Sequence, residues 1–323
     1  MGSRSINQCL LCRAVILLKS IDHHRENETQ YWLYHCDQCQ GEFWTPFRNP
    51  GAAWYEHDPR YASINSNPYS EVNWHQKFTL DFVETISGPG ALFDIGCGTG
   101  NFLAFARQRG WRVAGVDFDG NAVRAAKEVF GIREVEQTDL LNYARGHSAR
   151  RFNLVTFFDV FEHIDKHREF LAAITGIIVS GGHIAMSMPH RKGSFWLRPH
   201  DLPPRHLTRW DEMSLTTILN RHGYTVVYLK AMKASINYVI LKLRFRYGQQ
   251  VSFNLVDRLK KAVPKSKENV KSRKIRIVLV AARLKDWLIF GLPALAIWVW
   301  LVATRRDAIG LFAIAREDEN RNP

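Results

Sequence analysis

The sequence predicts an α/β fold built on a doubly wound, mainly parallel sheet. A small cysteine-rich module precedes this sheet, and a helical insertion interrupts the chain before the last strand. Three features of the 323-residue chain carry the prediction. They are a strand, glycine loop, helix and second strand over residues 91–119, two Cys-x-x-Cys pairs near the start, and a basic and then apolar segment over residues 242–304. The first feature predicts the fold class, and the other two predict the additions to it.

The glycine loop predicts a binding site for an adenosine-type cofactor. An apolar run ends at Asp94 and is followed by Gly96, Gly98 and Gly100. Gly96 allows a tight turn, Gly98 removes a side chain where a ligand must touch the main chain, and Gly100 lets the next helix pack onto the strand. Asp117 ends the second apolar strand, where it is placed to accept hydrogen bonds from two ribose hydroxyls.

The position of Asp94 favours a cationic ligand over a dinucleotide. The glycine spacing is Gly-x-Gly-x-Gly, whereas pyrophosphate-binding loops have Gly-x-Gly-x-x-Gly. An acid two residues before the first glycine is unfavourable beside a phosphate, because like charges that share a pocket repel each other. S-adenosylmethionine has a sulfonium and an amino group and no phosphate, and so it suits this loop better.

Over about residues 74–232 the sequence resembles the class I S-adenosylmethionine-dependent methyltransferases. The run from Asp94 to Gly100 is similar to their first motif, and residues 135–140, 152–159 and 183–188 follow in the order of their third, fourth and fifth strands. The resemblance implies a Rossmann-like, seven-stranded sheet in the order 3-2-1-4-5-7-6, with residues 310–316 as the last, antiparallel strand. It also implies methyl transfer from S-adenosyl-L-methionine. The cofactor site that it implies comprises Asp94, Gly96, Cys97, Gly98, Thr99, Gly100, Asp117, Phe118, Asp139, Leu140 and Phe158.

The two cysteine pairs predict a zinc ribbon in residues 1–50. Cys9 and Cys12 form the first pair, and Cys36 and Cys39 form the second. Two such knuckles present four thiolates tetrahedrally to Zn²⁺, and a site filled by four sulfurs is structural because no position is left for a catalytic water. Two disulfides or unpaired thiols are the alternatives. Disulfides fit less well, since no secretion signal is visible at the start of the chain.

The predicted division of the chain has four parts. After the ribbon, residues 51–73 are rich in aromatic, Asn, Ser and Pro residues and are either a lid over a substrate pocket or a packed linker. The methyltransferase core is expected over residues 74–232 and 307–318, and it begins with a helix from Trp74 to Ser87. Residues 233–306 then form a basic and apolar helical insertion.

The insertion predicts contact with a membrane surface. Residues 242–285 contain 14 Lys or Arg against two acids, nearly the whole net charge of +13, and residues 287–304 contain no charged side chain. Eighteen apolar residues barely span a bilayer, and a single span would separate the last strand from its sheet. An interfacial helix beside a polybasic patch satisfies both facts, and predicts a cytoplasmic protein that is peripheral on the inner face of the cell membrane. A core helix with a solvated charged face is the alternative.

The candidate chemical groups follow strands four and five. His163 and His206 are the predicted catalytic residues, His163 as a base and His206 as a substrate contact, and His190 and His200 lie on the same loop as His206. The run from Asp159 to His163 resembles a segment of the ubiquinone O-methyltransferases, and this resemblance implies a possible divalent metal on Asp159, Glu162 and His163. The alternative is that Glu162 and His163 only orient the loop or contact the cofactor.

Three functions compete at this point. The preferred one is O-methylation of a sugar, a lipid-linked acceptor or an envelope-glycan precursor at an anionic membrane surface, with a quinone-type O-methyltransferase as a variant. A ribosomal RNA methyltransferase is the second, although the basic charge lies next to an apolar, Trp-rich segment and the ribbon is not basic. A non-catalytic cofactor-binding scaffold is the third, and the intact glycine loop argues against it. The oligomeric state stays open.

Overall fold

The structure is a computed structural model that describes residues 4–57, 71–193, 201–247 and 268–318. Most of the predicted lid, His200 and residues 248–267 of the basic segment lie outside the described residues. The described chain forms two compact units, of which one contains residues 4–57, 71–191, 201–231 and 310–318, and the other contains residues 192–193, 232–247 and 268–309. The four-part division of the chain stays a prediction.

The strands and helices are numbered along the chain. The strands are β1 (Ser5–Ile6), β2 (Leu18–Glu26), β3 (Thr29–His35), β4 (Glu42–Thr45), β5 (Ala91–Ile95), β6 (Arg112–Asp117), β7 (Val135–Gln137), β8 (Phe152–Phe158), β9 (Ile178–Met188), β10 (Thr208–Arg209), β11 (Tyr224–Lys233) and β12 (Ala308–Glu317). The helices are α1 (Ala52–His57), α2 (Trp74–Ser87), α3 (Asn101–Gln108), α4 (Gly120–Phe130), α5 (Leu140–Gly146), α6 (His167–Ile177), α7 (Glu212–Arg221), α8 (Ile236–Tyr247) and α9 (Glu268–Ala303).

The predicted fold class is confirmed by a seven-stranded sheet in the spatial order β7-β6-β5-β8-β9-β12-β11. Strands β5 to β9 pair in parallel, and β12 lies antiparallel to β9. Counted within the sheet, this order is 3-2-1-4-5-7-6. All five residues of β5 are buried, as expected for a central parallel strand whose two faces are both covered. The chain reverses its winding direction beside β5, which leaves a crevice at the carboxyl ends of β5 and β8.

The helices of the core begin where the sequence supplies capping side chains. The predicted helix from Trp74 to Ser87 is present, and Asn73 and Gln76 form a capping box at its start. Asp119, Asp139 and Asp211 each accept a backbone N–H group at the start of α4, α5 and α7. A side chain that accepts one of these otherwise unpaired N–H groups stabilises a helix by about 1 kcal/mol.

The cysteine-rich module contains a second sheet, in the order β1-β2-β3-β4-β10. Four of its strands come from residues 5–45, as the ribbon prediction requires. The fifth strand, β10, comes from the segment that follows β9, more than 160 residues later in the chain. The sequence gives no sign of this pairing, because a two-residue strand has no periodicity to recognise.

The insertion folds as two packed helices, α8 and α9. Val239, Ile240 and Leu243 of α8 form an apolar cluster with Ala294 and Leu301 of α9. One stretch of the described chain, Asp286–Ala303 within α9, is long and apolar enough to cross a membrane, with a mean hydropathy of 1.8 and 17% of it buried. Length and composition alone are weak evidence for a span.

Candidate functional site

The glycine loop joins β5 to α3 and is held by the end of β6. The backbone N–H groups of Gly96 and Cys97 both donate to the carbonyl of Val116, at 2.8 and 3.1 Å. The φ angles of Gly96, Gly98 and Gly100 are +72°, +52° and +78°, a region that favours glycine. A Cβ on Gly98 would meet no atom within 4 Å, so this glycine opens the loop to the crevice.

The close neighbour of Gly100 differs from the one expected. A Cβ on Gly100 would lie 2.8 Å from the Cβ of Ala126 on α4. Gly100 therefore permits close packing between the loop and the neighbouring helix α4, rather than between α3 and the strand. The sequence could not show this, because the contact joins two elements that only the folded sheet brings together.

Asp94 is a buried carboxyl beneath the loop. Thr156 Oγ1 on β8 donates a 2.6 Å hydrogen bond to Asp94 Oδ1. The pKa of Asp94 is raised to about 7. Burial is the main cause of the rise and the charge of Asp117 adds to it, whereas the hydrogen bond from Thr156 opposes it. A bound cation would shift this balance back toward the carboxylate, because an opposite charge favours the ionised form.

Asp117 organises the other side of the loop. Its Oδ2 accepts the N–H of Gly98 at 2.8 Å, and its Oδ1 accepts the N–H of Asp119 at 2.9 Å. Burial raises the pKa of Asp117, and these backbone hydrogen bonds oppose the rise. Asp139 and Leu140, which the resemblance assigned to the cofactor site, follow β7, where Asp139 caps α5 through Asn142.

A pocket lies along the glycine loop. Among the predicted cofactor residues, Asp94, Gly96, Cys97, Gly98, Thr99 and Phe158 line it. Its other lining residues, Glu71, Asn73, Gln76, Asn101 and Phe102, were missed by the sequence reasoning. The Asn-x-x-Gln capping signal at the start of α2 could have drawn attention to two of them, but it predicts only a helix start and says nothing of a pocket.

The four predicted zinc ligands meet in one place. The sulfurs of Cys9 and Cys39 are 3.8 Å apart, as are those of Cys12 and Cys36, and all four lie within 4.8 Å of one another. Zn–S bonds of about 2.3 Å in a tetrahedron place the sulfurs about 3.8 Å apart. All four cysteines are free, so the disulfide alternative does not apply. The residues present fit a structural Zn²⁺.

Local backbone geometry preforms the cysteine cluster. Each knuckle closes through a residue with positive φ that follows the second cysteine: Arg13 at +62° and Gln40 at +60°. The N–H of Gln40 donates to the carbonyl of Cys36 at 2.7 Å. A hydrogen bond from Cys39 lowers the pKa of Cys9 to about 5, whereas that same bond raises the pKa of Cys39 and burial raises the pKa of Cys36 to about 11. The geometry therefore favours one thiolate by itself, and a bound Zn²⁺ would ionise the other thiols.

A second cluster of metal-binding side chains follows β8. Glu162, His163 and His206 each bring one ligand atom within 4.8 Å of the others. Val160 connects this cluster to the glycine loop, because a Cβ on Gly96 would lie 2.7 Å from Val160 Cγ2. The structure thus brings together the two histidines that were predicted as catalytic, which lie 43 positions apart in the sequence.

Hydrogen bonds fix the tautomers of both histidines. His163 Nδ1 lies 2.6 Å from the carbonyl oxygen of Arg205, which can only accept, so Nδ1 carries the proton. His206 Nδ1 lies 2.6 Å from Asp201 Oδ1 and donates to that carboxylate. In the neutral form of either ring, this proton on Nδ1 leaves the lone pair on Nε2. Burial holds the pKa of His163 well below its ordinary value, and this imidazole is neutral at pH 7.

The side chains of Glu162, His163 and His206 fit a divalent cation, and this set differs by one residue from the expected set. Two imidazoles oriented through Nδ1 and one carboxylate are ligands typical of divalent transition metals. Asp159 was expected as a ligand, and it is not in the group; its carboxylate accepts the hydroxyl of Ser187 at 3.1 Å. His206 takes its place. His190 also lies apart from the cluster, with its Nε2 3.0 Å from Glu212.

Sheet order, glycine loop and pocket together define a class I S-adenosylmethionine-dependent methyltransferase domain. Residues 73–229, just under half of the chain, match the family model described as a methyltransferase domain. The predicted resemblance to the class I S-adenosylmethionine-dependent methyltransferases is therefore confirmed.

Individual relatives match parts of the chain. The chain is 33% identical to a trans-aconitate 2-methyltransferase of Sinorhizobium fredii over 103 residues, which are 31% of this chain and 38% of the relative. It is 26% identical to a ubiquinone biosynthesis O-methyltransferase of Cronobacter sakazakii, over 33% of this chain and 45% of the relative. The chain thus spans about half the length or less of these two curated relatives.

Solved structures agree on the fold. A methyltransferase from Archaeoglobus fulgidus, described as dependent on S-adenosylmethionine, aligns with a TM-score of 0.50 and 16% identity, over 80% of this chain and 99% of that one. The cyclase SpnF aligns with a TM-score of 0.50 and 13% identity, over 83% of this chain and 95% of that one. At this identity the likeness shows the fold alone, and the second example shows why function must be argued from the site.

Proposed function

We propose that this protein transfers a methyl group from S-adenosylmethionine to a hydroxyl oxygen of a sugar, carried on a lipid-linked or envelope-glycan precursor, at a membrane surface. The observation that carries the proposal is the convergence of two imidazole rings and a buried carboxylate next to the glycine loop. Methyl transfer is an in-line displacement at carbon, so the protein contributes positioning and a route for the proton of the acceptor.

The cluster suits a hydroxyl acceptor better than an amine. A sugar hydroxyl is a weak nucleophile and needs a group that takes its proton as the methyl bond forms. Nε2 of His206 is such a group, since its Nδ1–H is bound to Asp201 and the imidazolium that forms is stabilised by that carboxylate. A divalent cation held by Glu162, His163 and His206 would instead occupy the Nε2 lone pair of His206 and would supply Lewis-acid polarisation of the hydroxyl, so His206 serves as the base only when no cation is bound.

The exposed face of α9 supports the membrane part of the proposal. Leu288 and Leu292 are 88% and 82% exposed, and Trp287 and Trp300 are also exposed on this helix. Arg305 and Arg306 follow its end. An apolar face of this kind with basic residues beside it matches the requirements of a helix that lies in the interface of an anionic bilayer.

A quinone-type acceptor is the second candidate. It is favoured by the relatives described as ubiquinone biosynthesis O-methyltransferases, one of which, from Aeromonas salmonicida, is 23% identical over 54% of this chain and 79% of its own length. A phenolic hydroxyl is more acidic than a sugar hydroxyl, so it depends less on a base. An apolar quinone would also partition into the membrane surface proposed for α9.

Labelling with S-adenosylmethionine that carries a tritiated methyl group tests the proposal. Purified protein is incubated separately with lipid-linked glycans extracted from bacterial envelopes, with a catechol-type quinol in detergent, and with ribosomes. We expect label in the glycan fraction, and its loss in His206→Gln but not in His23→Gln, which changes an exposed histidine of the ribbon. Label in the quinol alone would establish the second candidate. Label in ribosomal RNA alone would refute both.

A further inference from the structure

The segment that carries His206 is attached to the cysteine ribbon. Strand β10 pairs antiparallel with β4, with Thr208 opposite Phe43 and Arg209 opposite Glu42. The N–H of Trp44 donates to the carbonyl of Leu207 at 2.8 Å. A two-residue strand has little stability of its own, so the conformation of this segment depends on the ribbon strand beside it.

Leu207 connects the ribbon to the candidate catalytic cluster. Its carbonyl accepts from the ribbon, while its own N–H donates to the carbonyl of Glu162 at 2.8 Å. Thr208 Oγ1 makes a second, longer contact to the same carbonyl, at 3.4 Å. His206 is the residue before Leu207. Its distance from Glu162 and His163 is therefore set by hydrogen bonds that begin in β4.

A charged contact reinforces this attachment. Arg209 Nη1 lies 3.1 Å from Glu42 Oε2, and Arg191 Nη1 lies 3.8 Å from Glu42 Oε1. The side chain of Glu42 is only 15% exposed, and those of the two arginines are 10% and 13% exposed. Arg209 also donates to the carbonyl of Arg191 at 2.7 Å. One carboxylate of the ribbon thus lies between two guanidinium groups of the segment that follows β9.

Because this contact is largely buried, the Glu42 carboxylate contributes to holding the segment 206–209 in place. A surface ion pair contributes little, but removing one partner of a largely buried pair leaves uncompensated charge in a poorly hydrated place. Arg191 also pairs with the buried carboxylate of Asp211, so removing the charge of Glu42 chiefly weakens the contact that ties Arg209 to β4. Loss of that contact favours a shift of the segment 206–209 away from β4.

We propose that the ribbon positions the acceptor-side histidine, and that Glu42 is a positioning residue for His206. Glu42 acts through Arg209 and β10 and makes no contact with the cofactor pocket. The inference deepens the proposed function, since the role of His206 rests on it. The mechanical claim, that β4 and Glu42 hold His206 in its hydrogen bond with Asp201, stands on the geometry alone.

The claim is tested by NMR of the His206 ring in protein with ¹⁵N-labelled histidine. The Nδ1–H group that donates to Asp201 should give a downfield resonance with slow solvent exchange, and Asp201→Ala identifies it by removing the acceptor. In Glu42→Gln we expect this proton to exchange at least about tenfold faster, as for a locally opened hydrogen bond. Glu28→Gln is the matched control, because it makes the same chemical change at an exposed ribbon position.

Two further measurements separate positioning from unfolding. Glu42→Gln should keep its metal content and its affinity for S-adenosylhomocysteine, since neither set of residues is changed. If Glu42→Gln loses its metal or its affinity for S-adenosylhomocysteine, Arg209→Met is used in its place. Arg209→Met leaves the ribbon sequence intact, and its His206 Nδ1–H proton should show the same faster exchange. An unchanged Nδ1–H resonance and exchange rate in a folded Glu42→Gln or Arg209→Met variant would overturn the proposal. No acceptor is needed, so this result is independent of whether methyl transfer to a sugar is observed.

Discussion

Thr156 donates a 2.6 Å hydrogen bond to Asp94, and both side chains are buried beneath the glycine loop. The bond links the central strand β5 to its neighbour β8 at the point where the pocket opens. This hydrogen bond opposes the effect of burial on Asp94, whose pKa is still raised to about 7. Two predictions depend on this raised value.

The first prediction concerns stability in the absence of cofactor. The pKa of Asp94 is higher in the folded protein than in the unfolded chain, so the folded state binds more protons and loses stability as pH rises from about 4 to about 7. Asp94→Asn removes this loss. We expect the variant to exceed the parent in free energy of unfolding at pH 8, by up to roughly 4 kcal/mol, and to differ little at pH 4. Urea unfolding at the two pH values checks this, and a smaller difference at pH 8 than at pH 4 would contradict it.

Binding of the cationic cofactor should show the opposite pH dependence. A sulfonium near Asp94 favours the carboxylate, so affinity for S-adenosylmethionine should rise as pH increases toward 7 and level off above it. Asp94→Asn should bind more weakly at pH 8 and lose the pH dependence. Calorimetry in buffers of different ionisation enthalpy would detect the proton released by the parent protein. Equal proton release from the Asn variant would assign the effect to another group.

Asp117 provides a test of the ribose role. Its carboxylate holds the N–H groups of Gly98 and Asp119, and a cofactor ribose would add hydrogen bonds to a charged acceptor. Such bonds contribute about 1.5–3 kcal/mol each, so Asp117→Asn should weaken S-adenosylhomocysteine binding by at least about tenfold. Asp37→Asn, at an exposed carboxylate of the ribbon, is the control. Unchanged affinity in Asp117→Asn would rule out the ribose contact.

Metal content tests the cysteine cluster. One Zn²⁺ per chain is expected in the ribbon, and Cys36→Ser should lose it and destabilise the ribbon, because the metal supplies much of the folding free energy of so small a module. Cys97→Ser is the matched control, since Cys97 is a free cysteine outside the cluster. Elemental analysis of both variants decides the matter. Zinc retained in full by Cys36→Ser would contradict the assignment.

The exposed face of α9 can be tested by flotation with anionic vesicles. Leu292→Glu places a charge at a position that is 82% exposed, so it should leave the fold intact and reduce the vesicle-bound fraction severalfold. Val15→Glu is matched in exposure, at 82%, and lies in the ribbon. Equal flotation of the two variants would remove the support for a membrane-binding helix. Binding of the parent protein to neutral vesicles as strongly as to anionic ones would remove the role of the basic residues.

Much of the fold could be predicted from the sequence because the patterns that indicate it are local. The strand, glycine loop and acid at residues 91–119 predict their own conformation, since each depends on neighbours within a few positions. The order of the later strands then follows from the resemblance to a known class. The cysteine spacing likewise predicts two knuckles, and the structure closes each with a positive φ, at Arg13 and Gln40.

Contacts between segments that are far apart in the chain could not be predicted from the sequence. The sequence predicted His163 and His206 as catalytic residues with no indication that they meet, and the structure groups both with Glu162 within the described chain. The resemblance to the ubiquinone O-methyltransferases also implied Asp159 as a metal ligand, but the Asp159 carboxylate accepts a hydrogen bond from the Ser187 hydroxyl instead. Which side chains meet depends on strand register and turn geometry over tens of residues, and no pattern in the sequence encodes these directly.

The sequence by itself determined the cofactor loop, the four cysteines and the basic, apolar insertion, because each is a short-range pattern of residue types. Tertiary structure alone decided that the ribbon accepts β10 as its fifth strand, that Gly100 lies against Ala126, and that His206 comes to His163. The physical reason is that hydrogen bonds between strands form only after packing brings them together. The chain specifies the parts locally, and the shared core determines which of them become neighbours.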